Sequence, residues 1–189
     1  MRNDSITVKW IDAICHKISV LESGSRYPNL SFCLILLTLQ CIFRPYRGLV
    51  HDARLYGLQA LDQAQNGGFS QDLFFAFGSQ DSFSVFSALM GPLVAFMGLQ
   101  ASFWLAYILS SLLFVYAEVR LIRNILPDRW LANVALLTLT VVPLPYGGWQ
   151  IFGVQEGFFT ARLIGEGFLL LVLVAVTENR KLKAFLYIL

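Results

Sequence analysis

Long apolar runs separated by short polar stretches dominate this chain and predict helices that cross a membrane. A helix needs about 20 apolar residues to span a bilayer, and four runs reach or approach that length. They are residues 27–46 (centred on 30–43), 100–117, 130–146 and 161–177. A further run begins at Ala184 and is cut short at Leu189, so we expect the start of a fifth transmembrane helix in a truncated chain.

The uncharged stretch from Ser82 to Ala117 allows two arrangements. Either it crosses the bilayer twice with two short helices, or residues 83–98 lie at the interface and only residues 100–117 cross. Gly91 and Pro92 interrupt the first half, which favours an interfacial helix followed by a single crossing.

The distribution of basic residues also favours the single crossing, because Lys and Arg concentrate in the cytoplasmic loops of membrane proteins. One crossing leaves ten basic residues inside and four outside, whereas two crossings leave five inside and nine outside. Residues 1–27 are then a cytoplasmic amphipathic segment, and residues 28–189 are the helical transmembrane domain. Outer loop 1 (about 44–99) and outer loop 2 (about 147–162) face the same compartment.

Outer loop 1 has the pattern of a folded segment. Apolar residues at helical spacing predict an amphipathic helix over residues 51–65, lying on the membrane surface. Asn66-Gly67-Gly68 is expected to end it, as a glycine C-cap would. With a second interfacial helix at 83–98, the sequence predicts an all-α polytopic membrane protein of about four transmembrane and two juxtamembrane helices.

The composition supports this class and excludes others. Hydrophobic residues make up 57% of the 189 residues and charged residues 14%, against about 25% charged in soluble proteins. A net charge of +2, with basic residues scattered among the loops, excludes nucleic acid as a partner. The three cysteines lack metal-ligand spacing, and no Walker, HExxH or GxSxG motif occurs, so no soluble enzyme class fits.

Asp52 is the first candidate for chemistry, because it lies just outside the first predicted transmembrane helix. A carboxylate there can act as a general base or bind a divalent cation. Alternatively, Asp52 simply N-caps a helix that begins at Ala53. His51 beside it can hydrogen-bond a phosphate or assist proton transfer, or it can be an interfacial histidine without a role. One aspartate does not establish a metal site, so the cofactor stays open.

Glu156 and Arg162 lie where the chain is about to enter the bilayer, a depth at which charge is costly. The planar guanidinium of Arg162 suits bidentate binding of a phosphate, or it extends to the lipid headgroups as an anchor. We expect Glu166, one turn further on, to pair with Arg162. Arg44 and Arg47 flank the first helix and are interpreted as headgroup anchors.

This order of elements resembles the N-terminal module of the GT-C glycosyltransferases, membrane enzymes that use polyprenyl-phosphate sugars as donors. The acidic motif His51-Asp52 after the first helix, the two juxtamembrane helices, and the Glu156…Arg162 segment before the fourth helix carry the resemblance. It covers roughly residues 28–180. The sequence departs from the family where Ala53, rather than a second acidic residue, follows Asp52.

The resemblance implies transfer of a sugar from a lipid-phosphate donor at the extracytoplasmic face, in what we expect to be a bacterial inner (plasma) membrane. Asp52 would be catalytic, as the base toward an acceptor hydroxyl or as the holder of a metal. Arg162 would contact the donor phosphate, with His51 and Glu156 in substrate binding. The partners implied are the bilayer and the lipid-linked donor. A transporter or flippase fragment, and a non-catalytic subunit packed against another membrane protein, are the alternatives.

Overall fold

A computed structural model of the chain describes residues 30–77, 83–147, 152–180 and 186–187. Within them the chain forms seven helices and two short strands. These are α1 (Leu30–Phe43), α2 (Ala53–Ala64), α3 (Leu73–Ala76), α4 (Phe86–Met97), α5 (Leu99–Ile125), α6 (Arg129–Val141), β1 (Pro145–Tyr146), β2 (Phe152–Gly153) and α7 (Ala161–Thr177). The predicted mainly helical fold is confirmed. The segment 1–27 and most of the expected fifth helix lie outside the described residues.

Helix α5 is the centre of the fold. Among the described helices it alone is both long and apolar enough to cross a membrane, with 27 residues and a mean hydropathy of 1.7 over its most apolar window. At 1.5 Å per residue it is about 40 Å long. It packs against α1, α4, α6 and most extensively α7. The polar residues from Glu118 to Arg123 belong to the same helix, which continues well beyond the predicted end at Ala117.

The most extensive helix contact is between α5 and α7, and Gly167 lies within it. A Cβ atom at this position would lie 3.1 Å from the side chain of Leu113. That is tighter than ordinary van der Waals contact, so a Cβ atom at this position would require the Leu113 side chain to shift. Leu171 and Val174 continue the buried face of α7 along the same contact.

An aromatic core lies at the end of the bundle where α1 stops. Phe103 and Tyr107 of α5 and Phe159, just before α7, are fully buried. The ring centroid of Phe159 lies 5.5 Å from those of Phe86 and Phe103, within the range preferred by aromatic pairs. These rings come from α4, α5 and the segment before α7. The aromatic core therefore joins outer loops 1 and 2 to the same end of α5.

The two helices predicted for outer loop 1 are present as α2 and α4, which pack against each other. Helix α2 ends in a Schellman motif: the Gly67 amide donates to the Asp62 carbonyl at 2.9 Å, and Asn66 has a positive φ of 55°. The predicted stop is confirmed, with Asn66 as the left-handed residue. Gly98, with φ of 83°, separates α4 from α5, so residues 86–125 form two helices.

Outer loop 2 departs from the predicted all-helical pattern. Strands β1 and β2 pair antiparallel, with Tyr146 opposite Phe152 and Pro145 opposite Gly153. Helix α6 ends at Val141, five residues before the predicted end at Tyr146, because Pro143 and Pro145 cannot continue a helix. The loop therefore folds back on itself before α7 begins.

Candidate functional site

Outer loops 1 and 2 meet directly through their backbones. The Arg47 amide donates a hydrogen bond to the Gly157 carbonyl over 2.6 Å. Residue 157 must be small, because a Cβ atom there would lie 2.7 Å from the Pro45 carbonyl oxygen. The close approach of the two backbones therefore depends on glycine at this position.

Arg44, the first residue after α1, stabilises the contact between outer loops 1 and 2. One terminal nitrogen, Nη1, donates to the Val154 carbonyl at 3.2 Å and to Gln155 Oε1 at 3.1 Å. The other, Nη2, donates to the Leu139 and Val142 carbonyls at the end of α6. A guanidinium at a helix C-terminus satisfies carbonyls that have no partner within the helix. The interpretation of Arg44 as a headgroup anchor is therefore wrong, because its charge is directed into the protein.

The structure brings Asp52, Glu156 and Arg162 together. Arg162 Nη2 lies 2.7 Å from Glu156 Oε2 and 3.5 Å from Asp52 Oδ2. The guanidinium also stacks on Phe152, 4.4 Å from the ring centroid. The Glu156 side chain is 10% exposed, that of Arg162 28% and that of Asp52 43%. Glu156–Arg162 is thus a close, partly buried pair, whereas Asp52 sits at its open side.

The carboxylate of Asp52 is not used by helix α2. Asp52 adopts helical backbone angles (φ −59°, ψ −27°) and its side chain makes no capping hydrogen bond. An N-cap residue normally has extended angles that turn its side chain onto the first amides. The N-cap interpretation of Asp52 is therefore wrong, and its carboxylate remains available beside Arg162.

Both acidic residues follow a residue in a strained backbone conformation. His51, before Asp52, has φ of 53°, and Gln155, before Glu156, has φ of 56°. Left-handed conformations are uncommon for residues other than glycine and cluster at functional sites. The His51 ring lies parallel to Phe158 with centroids 6.1 Å apart, and its Nδ1 is 3.9 Å from Asp52 Oδ1. Both carboxylates lie within 3.5 Å of the same nitrogen, Arg162 Nη2.

Glu166 does not pair with Arg162, so the predicted i,i+4 pair is wrong. Glu166 Oε2 accepts from the Gln155 amide at 3.2 Å, and Oε1 accepts from the Tyr146 hydroxyl at 3.3 Å. Arg162 instead contacts Glu156 of outer loop 2 and Asp52 of outer loop 1. Glu166 therefore connects outer loop 2 to α7, and Arg162 remains free to contact Asp52 and Glu156.

A cavity of about 390 Å³ opens over these residues. Its walls come from the end of α1, outer loop 1, the β1–β2 hairpin and the first turn of α7. The charged and titratable side chains that line it are Arg44, Arg47, His51, Asp52, Glu156 and Arg162. Its size is typical of pockets for small molecules, which run from about 300 to 1,000 Å³.

Arg47 lines this cavity, although the sequence alone does not assign it to the candidate site. Its side chain is exposed and, within the described residues, makes no hydrogen bond or ion pair. Arg44 is bound to carbonyls and Arg162 to Glu156, so the available charges are the cation of Arg47 and the anion of Asp52. The sequence signal for Arg47 is its position five residues before Asp52, although a basic residue there is equally typical of a headgroup anchor.

The side chains that line the cavity are poor ligands for a metal ion. Within the described residues no three His, Cys, Asp or Glu side chains gather in a group that could hold one. Asp52 would give a divalent cation a single carboxylate, since Glu156 is paired to Arg162. The cavity can instead hold an anionic group against Arg47 and place a hydroxyl against Asp52.

Comparisons of the chain with known protein families, with curated proteins and with solved structures found no match. The candidate function therefore depends on the geometry of the cavity.

Removing the charge of Arg162 should destabilise the protein far more than removing that of Asp52. Arg162→Gln leaves the nearly buried Glu156 carboxylate without its cation, which costs about 1–3 kcal/mol. Asp52→Asn disturbs a long, exposed ion pair and should cost less than about 1 kcal/mol. Thermal unfolding of the purified variants in detergent measures both. Equal losses would contradict the division between a structural pair and an available carboxylate.

Proposed function

We propose that this protein is a polytopic membrane protein of the bacterial inner membrane, with a GT-C-like site that transfers a sugar from a lipid-phosphate donor at the extracytoplasmic face. The single observation that carries the proposal is the cavity that Arg47 also lines, in which Asp52, whose side chain caps no helix, lies beside Arg162. A base and a phosphate-binding group in one open cavity are what such a transfer requires.

Several features support placement in a membrane with both outer loops on one side. Large apolar side chains are exposed on the faces of the helices, for example Ile42 (66%), Phe96 (85%) and Leu169 (59%). Many exposed large apolar side chains are unfavourable in water and favourable against lipid. The 3.5 Å contact of Arg162 with Asp52 favours the single-crossing arrangement, because two crossings would put these residues on opposite sides.

In the proposed reaction Asp52 accepts the proton of the acceptor hydroxyl. The oxygen forms a bond to the anomeric carbon of the sugar, and the bond from that carbon to the phosphate oxygen breaks. The phosphate leaves with the electron pair and remains on the lipid. Arg47 stabilises the charge that develops on it, together with Nη1 of Arg162, which is not the nitrogen that contacts Glu156 and Asp52.

The remaining site residues take supporting roles in this proposal. Glu156 holds Arg162 at 2.7 Å and so positions its guanidinium at the cavity wall. His51 lies on the same wall and can donate a hydrogen bond to the phosphate. The expected partners are the bilayer and the lipid-linked donor, and the acceptor carries a hydroxyl that reaches Asp52.

Asp52→Asn should abolish transfer while leaving folding intact. Loss of a general base lowers such rates by about 10²–10⁴-fold. The assay follows release of polyprenyl phosphate from polyprenyl-phosphate sugars in membranes that contain the protein. Asp72→Asn is the matched control, because Asp72 caps α3 in outer loop 1 and asparagine caps equally well. Transfer at the normal rate by Asp52→Asn would refute the catalytic assignment.

Arg47→Gln should raise KM for the donor about tenfold or more, because a charge-assisted contact with phosphate contributes roughly 1.5–3 kcal/mol. We expect kcat to fall as well, because Arg47 also stabilises the charge that develops on the leaving phosphate. Arg54→Gln removes an equal charge from outer loop 1 at a residue that does not line the cavity, and should leave KM unchanged. An unaltered KM in Arg47→Gln would show that Arg47 does not bind the donor.

A further inference from the structure

A buried glutamine lies directly behind the candidate site. Gln40 is one turn before Arg44 on α1 and is fully buried, and its backbone carbonyl accepts a hydrogen bond from the Arg44 amide at 2.6 Å. Within the described residues, neither the nitrogen nor the oxygen of its side-chain amide has a hydrogen-bond partner. Burying an amide without partners is costly, so both atoms are available to a ligand.

The charge of Arg44 is not balanced by the groups that it contacts. Its terminal nitrogens donate to three backbone carbonyls and to Gln155 Oε1, and all four acceptors are neutral. Its Nε atom is buried and has no acceptor in the part of the chain that the structure describes. Because neutral acceptors replace only part of the lost hydration, a buried cation also needs a negative charge nearby.

Glu118 of α5 is the carboxylate whose charge acts on Arg44. The two acidic side chains of the neighbouring outer loop 2 region are engaged elsewhere, Glu156 with Arg162 and Glu166 with two hydrogen-bond donors of its own. Glu118 is partly buried and makes no hydrogen bond or ion pair to any other described residue. A carboxylate within an apolar helix of this kind is costly and needs a partner.

The packing of α1 on α5 places Gln40 between the two charges. Leu36 of α1 belongs to the same buried cluster as Val119, the residue after Glu118. Leu36, Gln40 and Arg44 follow one another at four-residue spacing along α1, so Gln40 lies between the level of Glu118 and that of Arg44. The two charges act on each other without a direct contact, and such a gap between polar groups suits a bridging water molecule.

Water fits these three side chains better than an ion does. Gln40 offers both a donor and an acceptor, Arg44 Nε offers a donor, and Glu118 offers acceptors. A metal cation would be repelled by Arg44 and an anion by Glu118, whereas water accepts from the first and donates to the second. A buried water molecule typically makes about three hydrogen bonds to polar groups that have no other partner.

We propose that Gln40, Arg44 and Glu118 form a water-binding site between α1 and α5. Through it, the carboxylate of Glu118 holds the guanidinium of Arg44 in the position that joins outer loops 1 and 2. Glu118 is then a positioning residue. The proposal rests on the contacts of Arg44 and not on sugar transfer at Asp52.

Hydroxyl-radical labelling of the full chain in nanodiscs detects such water, because radiolysis of bound water oxidises the side chains beside it. We expect oxidation of Tyr107, whose hydroxyl lies 3.1 Å from the Arg44 carbonyl. Phe103, which is equally buried in the aromatic core, is the matched control and should stay unlabelled. Gln40→Leu should lower the labelling of Tyr107 several-fold. Labelling of Tyr107 no higher than that of Phe103, corrected for intrinsic reactivity, would overturn the proposal.

Thermal unfolding of Gln40→Leu gives an independent test, because the sign of the change depends on whether the amide has a ligand. Loss of an amide that binds water should lower the melting temperature. Loss of an amide without any partner would raise it instead, and that result would contradict the proposal. Thr38→Val removes a polar group from an exposed position on the same helix and should change the melting temperature less.

Coupling between Glu118 and Arg44 tests the positioning role. Glu118→Gln should lower the melting temperature, and should lower it less when Arg44→Gln is already present, because the charge that Glu118 balances is gone. Glu118→Asp keeps the carboxylate and should recover part of the loss. Asp52→Asn should leave this coupling and the labelling of Tyr107 unchanged, so a failure of sugar transfer is distinguishable. An equal effect of Glu118→Gln in both backgrounds would refute the positioning role.

Discussion

The guanidinium of Arg44 is the interaction on which the candidate site depends. It joins the end of α1 to the last carbonyls of α6 and to the backbone of outer loop 2 at Val154. The buried hydroxyl of Tyr107 on α5 donates to the Arg44 carbonyl at 3.1 Å, so the same residue is fixed to the central helix. Three segments far apart in sequence are therefore held at one end of the bundle. Together with the backbone hydrogen bond from Arg47 to Gly157, this junction brings Asp52 to Arg162.

The charged side chains of the cavity form two groups. Glu156 and Arg162 are close and partly buried, as a structural pair is. Asp52 and Arg47 are more exposed, and neither is used to cap a helix or close a loop. Charges that the fold does not need are the ones available to a substrate, and they have opposite signs. This combination fits a hydroxyl acceptor and an anionic leaving group in the same cavity.

The sequence predicted the helices well where apolar periodicity and terminators agree. Helix α7 matches the predicted 161–177, and α1 matches the predicted centre of the first run. The distribution of basic residues over the whole chain predicted that outer loops 1 and 2 lie on the same side, and in the structure the two loops are in contact. Most side-chain pairings could not be predicted from the sequence. Helical spacing predicts a pair between Glu166 and Arg162, but Glu166 accepts hydrogen bonds from the Gln155 amide and the Tyr146 hydroxyl instead. Arg44 and Arg47 look alike in sequence, and only the fold turns one inward and leaves the other in the cavity.

The central claim is that Asp52 and Arg162 share one face of a membrane, and cysteine labelling tests it most directly. Gln71→Cys and Leu144→Cys report outer loop 1 and the start of outer loop 2, and Ile125→Cys reports the far end of α5, each in a chain with the native cysteines replaced by alanine. With a membrane-impermeant maleimide on intact cells, we predict that Gln71→Cys and Leu144→Cys are labelled. Ile125→Cys should be labelled only after permeabilisation. Labelling of Gln71→Cys and Leu144→Cys from opposite faces would contradict the account.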